Sequence, residues 1–208
     1  MKVCEAVIFD LGGVILDIDY KATEAALRQL MGPRADSYYQ QTRQNPLFDD
    51  LETGRVDPAV FRQKIVEWAG RPLSDTAIDQ AWNAMLGGLP LARLDFIKKM
   101  TKQFRVFLLS NTNVIHKAAF DQISQQTLAE VPFDSFFEAA YYSHLVGMRK
   151  PDVAIYRYVV ERHGLNPETT LFIDDNLSNV EGAKAAGLHG FHLRGELLEA
   201  SLPFLSQT

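Results

Sequence analysis

Short apolar runs that end abruptly in polar residues constrain the fold of this chain more than any other feature of its sequence. The first run, residues 7–9, is followed by Asp10, and residues 106–109 lead into Ser110. Further runs occupy residues 139–142, 171–173 and 190–193. Because these runs do not alternate with polar residues, each predicts a strand covered on both faces, which is typical of parallel sheets.

Helical patterns separate the later runs. Residues 151–163 carry apolar side chains at helical spacing, begin with a proline and stop at Gly164. Residues 179–186 are small and helical in pattern, and Gly187 closes them. The alternation of strands with helices predicts a doubly wound, Rossmann-like α/β fold built on a parallel sheet.

The stretch from residue 17 to residue 90 interrupts this alternation. Its apolar residues recur at helical spacing, and turn signals separate the helices. We therefore expect an α/β core made of residues 1–16 and 91–208, and a smaller helical domain made of residues 17–90. Since the insertion follows the strand that ends in Asp10, it is expected to stand over that strand end as a cap.

The aromatic residues of this insertion fall into two groups. Those at helical spacing are expected to form the cap core; they are Phe61, Trp68 and Trp82. Tyr38-Tyr39 and Phe48 are less periodic, and one of them is expected to face a bound ligand.

Charge, cysteine content and hydropathy exclude several classes of protein. The chain has 208 residues, with 21 basic against 26 acidic ones and a net charge of −5, which disfavours a nucleic-acid surface. Its single cysteine, Cys4, excludes an internal disulfide and fits a reducing compartment. No segment approaches about 18 consecutive apolar residues, and the N-terminus lacks a signal-peptide pattern. We expect a cytoplasmic protein with neither a nucleic-acid nor a membrane partner.

Polar residues follow three of the predicted strands, at the sheet edge where α/β folds bind their ligands. Each of these residues is ordinary when taken singly. Asp10 suits a turn, Ser110 suits a helix cap, and Lys150 suits a solvated surface. The pair Asp174-Asp175 also suits a helix cap. Taken together, three acids favour a hard ion such as Mg²⁺, while a hydroxyl, amides and a lysine suit a transferring phosphoryl group. A carboxylate beside a metal can attack phosphorus and form an aspartyl-phosphate.

Four short motifs resemble those of the haloacid dehalogenase superfamily of phosphatases, in the same order and spacing. They are residues 9–14 with Asp17, Ser110-Asn111-Thr112, residues 147–151, and Asp174-Asp175-Asn176 with Asn179. The resemblance covers nearly the whole chain. In detail the motifs are similar to a bacterial branch that includes α-D-glucose-1-phosphate phosphatase and carries a helical cap after the first motif.

The resemblance implies a nucleophile and a metal site. Asp10 is implied as the nucleophile and as a Mg²⁺ ligand, with the Gly12 carbonyl as a second ligand. Of the acidic pair, Asp175 is the preferred direct ligand and Asp174 supports it. The cofactor that this set implies is Mg²⁺.

The same resemblance implies a phosphate-binding set. Ser110 and the Asn111 amide are implied to bind the phosphoryl oxygens. Lys150 is implied to neutralise both the nucleophile and the phosphate. The implied partner is a small phosphorylated metabolite, and the sequence leaves the oligomeric state open.

The sequence departs from the family at Gly12. Most phosphatases of the superfamily carry a second aspartate there, two residues after the nucleophile, as general acid and base. Such proton transfer contributes about 10²–10⁴-fold to rate, so its loss affects rate and substrate range. Asp17, Asp19 and His116 are possible substitutes, although a hinge role for Asp17 and a packing role for His116 are favoured.

The function that we expect is a Mg²⁺-dependent phosphomonoesterase acting on a small phosphorylated metabolite, plausibly a sugar phosphate such as glucose 1-phosphate. Three alternatives stay open. A 2-haloacid dehalogenase is disfavoured because Asp174-Asp175 beside Asp10 would repel without a cation. A phosphomutase normally relies on the missing second aspartate. A phosphate-binding regulatory protein could have lost turnover together with the general acid.

Overall fold

The computed structural model describes residues 4–40 and 43–200. Its strands are Ala6–Phe9 (β1), Tyr39–Gln40 (β2), Arg43–Gln44 (β3), Arg105–Ser110 (β4), Ala139–Tyr142 (β5), Thr170–Asp174 (β6) and His189–His192 (β7). Its α-helices are Tyr20–Met31 (α1), Pro46–Glu52 (α2), Pro58–Ala69 (α3), Asp75–Asn83 (α4), Leu91–Met100 (α5), Val114–Leu128 (α6), Ser143–Val146 (α7), Val153–His163 (α8) and Leu177–Ala185 (α9).

A parallel sheet with the strand order β5-β4-β1-β6-β7 forms the centre of the fold. Every residue of β1 is buried, because the sheet is covered on both faces. Val7 and Phe9 join one hydrophobic cluster, whereas Ala6 and Ile8 join the cluster on the other face. The five apolar runs of the sequence form these five strands, so the predicted doubly wound α/β fold is confirmed.

The two predicted core helices end where local sequence dictates. Asp152 caps α8 by accepting a hydrogen bond from the Ala154 amide, and Gly164 ends the helix in a left-handed conformation. The helix predicted for residues 179–186 begins two residues earlier, as α9, because Asn176 supplies its N-terminal cap. Both helices follow strand ends or loops that carry the predicted site residues.

Between β1 and α5, the helices α1 to α4 pack around a hydrophobic cluster of their own. Its largest fully buried members are Phe48, Phe61 and Trp82. The antiparallel pair β2–β3 is absent from the sequence prediction, because two-residue strands are too short to show a period of two. We propose that residues 17–90 form the cap, and the word is used below for these residues.

The two chain segments that enter and leave the cap are joined beside Asp17. The Asp17 amide donates to the Gly88 carbonyl at 2.9 Å, and the Gly87 amide donates to the Asp17 carbonyl at 2.8 Å. Arg93 binds the Asp17 carboxylate at 2.8 Å and Glu196 at 3.0 Å. A side chain at Gly87 would come within 2.9 Å of the Asp17 carbonyl oxygen, so the crossing requires glycine. Asp17 therefore joins the two segments, and its role as a hinge stays a prediction.

Among residues 4–40 and 43–200, no helix combines the length and apolar character that crossing a bilayer requires.

Candidate active site

The site lies at the topological switch point of the sheet, where the chain passes from strands on one side of β1 to strands on the other. Strands β4 and β5 lie on one side of β1, and β6 and β7 lie on the other. Crevices at such switch points, at the carboxyl ends of the strands, are where open α/β sheets bind ligands. Asp10 follows β1 directly, and Asp174 is the last residue of β6. The Asp10 amide donates to the Ile173 carbonyl at 2.9 Å, which brings the two strand ends together.

A fully buried lysine links these two carboxylates. Lys150 Nζ lies 2.7 Å from Asp10 Oδ1 and 2.7 Å from Asp174 Oδ2. An ammonium group can be buried in this way only when it is paired, because unpaired burial carries a large desolvation cost. The Asn111 side chain holds the lysine in place, since it donates to the Lys150 carbonyl and accepts from the Lys150 amide, both at 2.9 Å.

The two acids of the Asp174-Asp175 pair have different surroundings. Asp174 accepts hydrogen bonds from the Asn176 amide at 2.8 Å and from Asn179 Nδ2 at 3.0 Å, in addition to Lys150. No hydrogen bond from another residue of the described ranges reaches the Asp175 carboxylate. Asp174 is thus occupied in holding the lysine, whereas Asp175 keeps its oxygens free for a ligand.

Gly13 makes room for Asp175. Its φ of +73° is the left-handed conformation that favours glycine, and a Cβ atom built there would collide with the Asp175 carboxylate. The need to leave room for the Asp175 carboxylate therefore explains the glycine at position 13 of the first motif.

The electrostatics of the site call for a cation. Oxygens of Asp10, Asp174 and Asp175 lie within 4.8 Å of one another. Burial and the charge of Asp174 raise the pKa of Asp10, and they raise the pKa of Asp175 to about 6. Burial disfavours the charged form of Lys150, but the negative charges of Asp10 and Asp174 outweigh this effect and raise the pKa of the lysine. Three carboxylates against one ammonium fit a hard, oxygen-liganded ion such as Mg²⁺.

The strand β4 delivers the hydroxyl and amide part of the predicted set. Ser110 ends the strand and is buried, and Asn111 follows it. Because the Asn111 side chain is engaged with Lys150, the backbone amide is the group of this residue left to face a ligand. The next amide, of Thr112, donates to Ser143 Oγ at 2.9 Å, which fixes the loop.

A cavity of about 450 Å³ lies between the core and the cap over these groups. The predicted residues that line it are Asp10, Gly12, Ser110, Asn111, Lys150 and Asp175. Asp174 is fully buried behind Lys150 and is not part of the lining. The structure therefore brings six of the seven predicted residues to one cavity, and Asp174 supports them through its ion pair with Lys150.

The three possible substitutes for an acid at Gly12 lie in different places. Asp17 is bound to Arg93 where the chain enters the cap, and Asp19 caps α1 by accepting from the Lys21 amide at 3.0 Å. Neither lines the cavity. His116 does line it, but both of its ring nitrogens already have partners.

His116 connects the core to the cap as a neutral ring. Asn113 Nδ2 donates to its Nδ1 at 3.1 Å, so its Nε2 carries the proton and donates to the Trp82 carbonyl at 3.1 Å. The ring also stacks on Trp82, with centroids 4.6 Å apart. Burial lowers the pKa of His116 to about 4. These contacts give His116 the packing role that the sequence favoured.

Polar residues that the sequence prediction did not assign to the site also line the cavity. Tyr39, Glu52 and Trp82 come from the cap, and Arg149 precedes Lys150. The sequence predicted that Trp82 belongs to the cap core. Trp82 is a member of that hydrophobic cluster, and it also lines the cavity. Two of these residues had a signal in the sequence: Arg149 adjoins a predicted site residue, and Tyr39 is one of the less periodic aromatic residues of which one was expected to face a ligand. Glu52 gave no signal, and the place of Trp82 beside the cavity became visible only in three dimensions.

The sequence model of the haloacid dehalogenase-like hydrolases matches residues 4–187. The chain belongs to this family. The predicted family and its hydrolase class are thereby confirmed, whereas placement in the glucose-1-phosphate branch stays a prediction. The match includes every residue of the predicted site, from Asp10 to Asp175.

Two curated relatives of this haloacid dehalogenase-like chain are phosphatases. A D-ribitol-5-phosphate phosphatase from Bacteroides thetaiotaomicron is 32% identical over 187 residues, which is 89% of each chain. A phosphorylated carbohydrates phosphatase from Thermotoga maritima is 27% identical and covers 88% of this chain and 82% of its own. Both similarities extend through the cap as well as the core.

A solved structure is similar over nearly the whole chain. It is a haloacid dehalogenase-family enzyme from Bacteroides thetaiotaomicron, crystallised as an alanine variant with magnesium and inorganic phosphate. Its TM-score is 0.86 at 29% identity, and the alignment covers 92% of this chain and 94% of the other. Magnesium, the predicted cofactor, is thus the ion bound by this similar enzyme.

Proposed function

We propose that this chain is a Mg²⁺-dependent phosphomonoesterase that hydrolyses a small phosphorylated sugar or sugar alcohol through an aspartyl-phosphate on Asp10. The observation that carries the proposal is the Asp10–Lys150–Asp174 chain of ion pairs, 2.7 Å at each link, at the floor of a cavity with Asp175 free beside it. The two phosphatase relatives support the substrate class.

Asp10 supplies the nucleophile. One carboxylate oxygen bonds to phosphorus while the bond from phosphorus to the leaving oxygen breaks, which gives the aspartyl-phosphate and an alkoxide that takes a proton from water and leaves as the alcohol. Water then attacks phosphorus, the bond to Asp10 breaks, and inorganic phosphate leaves with the carboxylate restored. Lys150, held by Asn111 and Asp174, balances negative charge on both partners of the first step.

Ser110 and the Asn111 amide bind the non-bridging phosphoryl oxygens in this proposal. Both follow the end of β4, next to the strand that carries Asp10. Donors fixed on a strand end need no reorganisation as charge develops on the phosphoryl oxygens.

Asp10, Asp175 and the Gly12 carbonyl would hold Mg²⁺, with Asp174 placing its neighbours rather than binding directly. The free carboxylate of Asp175 and the excess of negative charge suit this ion. When bound, Mg²⁺ supplies a positive charge that orients the phosphoryl group and offsets its negative charge.

Gly12 affects which leaving groups depart well. With no acid at that position, an oxygen that is stable as an anion leaves more easily. The hemiacetal oxygen of a sugar 1-phosphate is more acidic than a primary alcohol, which favours glucose 1-phosphate over glucose 6-phosphate. This preference is part of the proposal, and it stands apart from the similarity to a ribitol-5-phosphate enzyme.

The test is hydrolysis of p-nitrophenyl phosphate by metal-stripped protein. We expect no turnover in EDTA, recovery with Mg²⁺, and suppression by excess Ca²⁺, whose longer bonds and higher coordination would move Asp10 off the line of attack. Chloride release from 2-chloropropionate is measured in parallel. Full phosphatase activity in EDTA removes the metal from the proposal, and chloride release without metal replaces it with a dehalogenase. Phosphate binding without turnover indicates the regulatory alternative.

A further inference from the structure

Three polar atoms on the cap side of the cavity are buried without a hydrogen-bond partner in the described part of the chain. They are Tyr39 Oη, Glu52 Oε2 and Trp82 Nε1. Tyr39 is 3% exposed and Trp82 is 1% exposed, so bulk water does not satisfy them. Buried polar groups in native proteins are nearly always paired, so a cluster of unpaired ones on residues that line a cavity points to a ligand.

The two aromatic residues are held rigidly. The Tyr39 and Trp82 rings meet edge to face with centroids 5.3 Å apart, and Phe48 contacts both at 5.1 and 4.9 Å. The Trp82 carbonyl accepts from the Thr23 hydroxyl at 3.0 Å and from His116. The indole N–H and the phenol therefore keep their places before a ligand arrives, which lowers the entropic cost of binding.

Glu52 is fixed from the core side. Its Oε2 atom lies 2.8 Å from Arg149 Nη2, but the approach does not have hydrogen-bond geometry. Arg149 Nη1 is bound by Asp49 at 2.6 Å, and Arg149 Nε is itself buried without a partner. The positive charge of Arg149 thus balances the Glu52 carboxylate in the cavity wall. Its Oε2 atom can still accept a hydrogen bond.

The combination of donors and acceptors selects the chemistry of what can occupy this wall. Trp82 offers a donor, Glu52 an acceptor and Tyr39 both. A hydrocarbon would leave Tyr39 and Trp82 without a partner and Glu52 with its ion pair to Arg149 alone, and a second anionic group would face the Glu52 carboxylate. Hydroxyl groups, which donate and accept at once, satisfy all three.

We propose that Tyr39, Glu52 and Trp82 determine specificity by hydrogen bonding to hydroxyl groups of the leaving group, so that the substrates are polyhydroxylated phosphate monoesters. The inference rests on the proposed function, because it takes the phosphoryl group to lie over Asp10 and Lys150 at the other end of the same cavity. It assigns the cap wall to the part of the substrate that departs.

The first test compares substrates of the same length in the wild-type enzyme with Mg²⁺. We expect kcat/KM for ribitol 5-phosphate to exceed that for n-pentyl phosphate by about 100-fold or more, because sites built to bind hydroxyls discriminate strongly against analogues without them. Equal kcat/KM values for the two esters would overturn the inference. No hydrolysis of any ester, including p-nitrophenyl phosphate, would instead refute the proposed function.

The second test measures how variants change the ratio of kcat/KM for ribitol 5-phosphate to that for p-nitrophenyl phosphate. We expect Glu52→Gln to lower this ratio by about 10- to 100-fold, since hydrogen bonds to charged groups are the stronger ones. Tyr39→Phe and Trp82→Phe should lower it by about 3- to 10-fold each. The ratio removes any general effect on folding or on the phosphoryl step.

Matched controls come from neighbours outside the cavity. Asp49→Asn weakens the same Arg149 cluster as Glu52→Gln, and Tyr38→Phe removes a phenol from a ring that stacks on Trp68. Both should leave the ratio within about twofold of wild type. An unchanged ratio in all three cavity variants would show that water pairs these atoms, and a control that lowers the ratio as far as Glu52→Gln would show a structural effect. Either result overturns the inference.

Discussion

The two ends of the cavity differ in how far their polar groups are satisfied. At the core end, Asp174 and Lys150 are fully buried and have partners for every charge. At the cap end, Tyr39 and Trp82 are equally buried, yet Tyr39 Oη and Trp82 Nε1 have no partner within the described ranges. The polar groups at both ends are desolvated, but only those at the core end have partners within the protein.

This difference separates two tasks. The groups that act on phosphorus must be charged and in place before substrate arrives, so the chain itself pairs them. The groups that contact the leaving portion can wait for a substrate to pair them, and this makes binding selective. A phosphoryl site that is common to a family can therefore be combined with a cap wall that is particular to one chain.

The largest expected effect comes from removing the nucleophile at the core end. Asp10→Asn should lower kcat on p-nitrophenyl phosphate by about 10³-fold or more, because the amide is nearly isosteric but far less nucleophilic. The fold should persist, since Lys150 keeps Asp174 as a partner. Asp19→Asn, which alters only a helix cap, is the control. If Asp10→Asn kept about a tenth of the rate, another residue would be the nucleophile.

The next effect concerns His116, the link between the two ends. Its pKa of about 4 lies below the ordinary 6.5, so the folded state disfavours its protonation. The resulting stability is complete above pH 6.5 and is lost as the pH falls from 6.5 to 4. With 1.36 kcal/mol per pKa unit, the loss is about 3 kcal/mol.

Denaturant titrations of wild type and His116→Gln at several pH values measure this loss. Their difference in unfolding free energy should shrink by about 3 kcal/mol between pH 7 and pH 4, because glutamine does not titrate. A difference that stays constant with pH would show that His116 is charged in the folded state or is not buried.

A smaller effect is expected from Gly13→Ala, which acts on Asp175. The added Cβ would displace this carboxylate, and we expect the Mg²⁺ concentration for half-maximal activity to rise by about 10- to 100-fold. Gly32→Ala introduces alanine at a similar φ, +70°, where no atom lies within 4 Å. It therefore reports backbone strain alone. Equal Mg²⁺ dependence in the two variants would remove Asp175 from the metal site.

The smallest effect is a change in substrate preference at Gly12. Wild type should turn over glucose 1-phosphate faster than glucose 6-phosphate, and Gly12→Asp should narrow the gap by about tenfold, through proton donation to the poorer leaving group. The new Cβ would lie 3.1 Å from Ile18 Cγ1, so Gly12→Ala is needed to isolate the steric part. A preference for the 6-phosphate in wild type, with no selective gain in Gly12→Asp, would show that protons come from elsewhere.

Much of the core could be predicted from the sequence because its signals are local. Each apolar run forms a strand, and three strand ends carry their predicted polar residues: Asp10 after β1, Ser110 in β4 and Asp174 in β6. Parallel strands bring their carboxyl ends to one edge, so residues distant in sequence could be grouped without coordinates. The motif spacing then gave the family, which the sequence match confirms.

The cap was predictable only as helices. The pair β2–β3 is too short to show in a pattern. Tyr39 begins β2, and its departure from the helical period marked it only as one of three aromatic residues that could face a ligand. Glu52 ends α2 and lies close to Arg149 across about a hundred positions of sequence. Nothing local distinguishes it from a solvated glutamate.

Short-range patterns and fixed spacings were enough to predict the five strands of the central sheet, the family and the identity of the charged groups. The resemblance implied that Asp174 supports Asp175, but only the tertiary structure shows how, since Asp174 accepts hydrogen bonds from Lys150 and Asn179. The tertiary structure alone also decided that Tyr39, Glu52 and Trp82 share one wall. Burial and pairing are properties of three-dimensional neighbours, and chain order does not carry them.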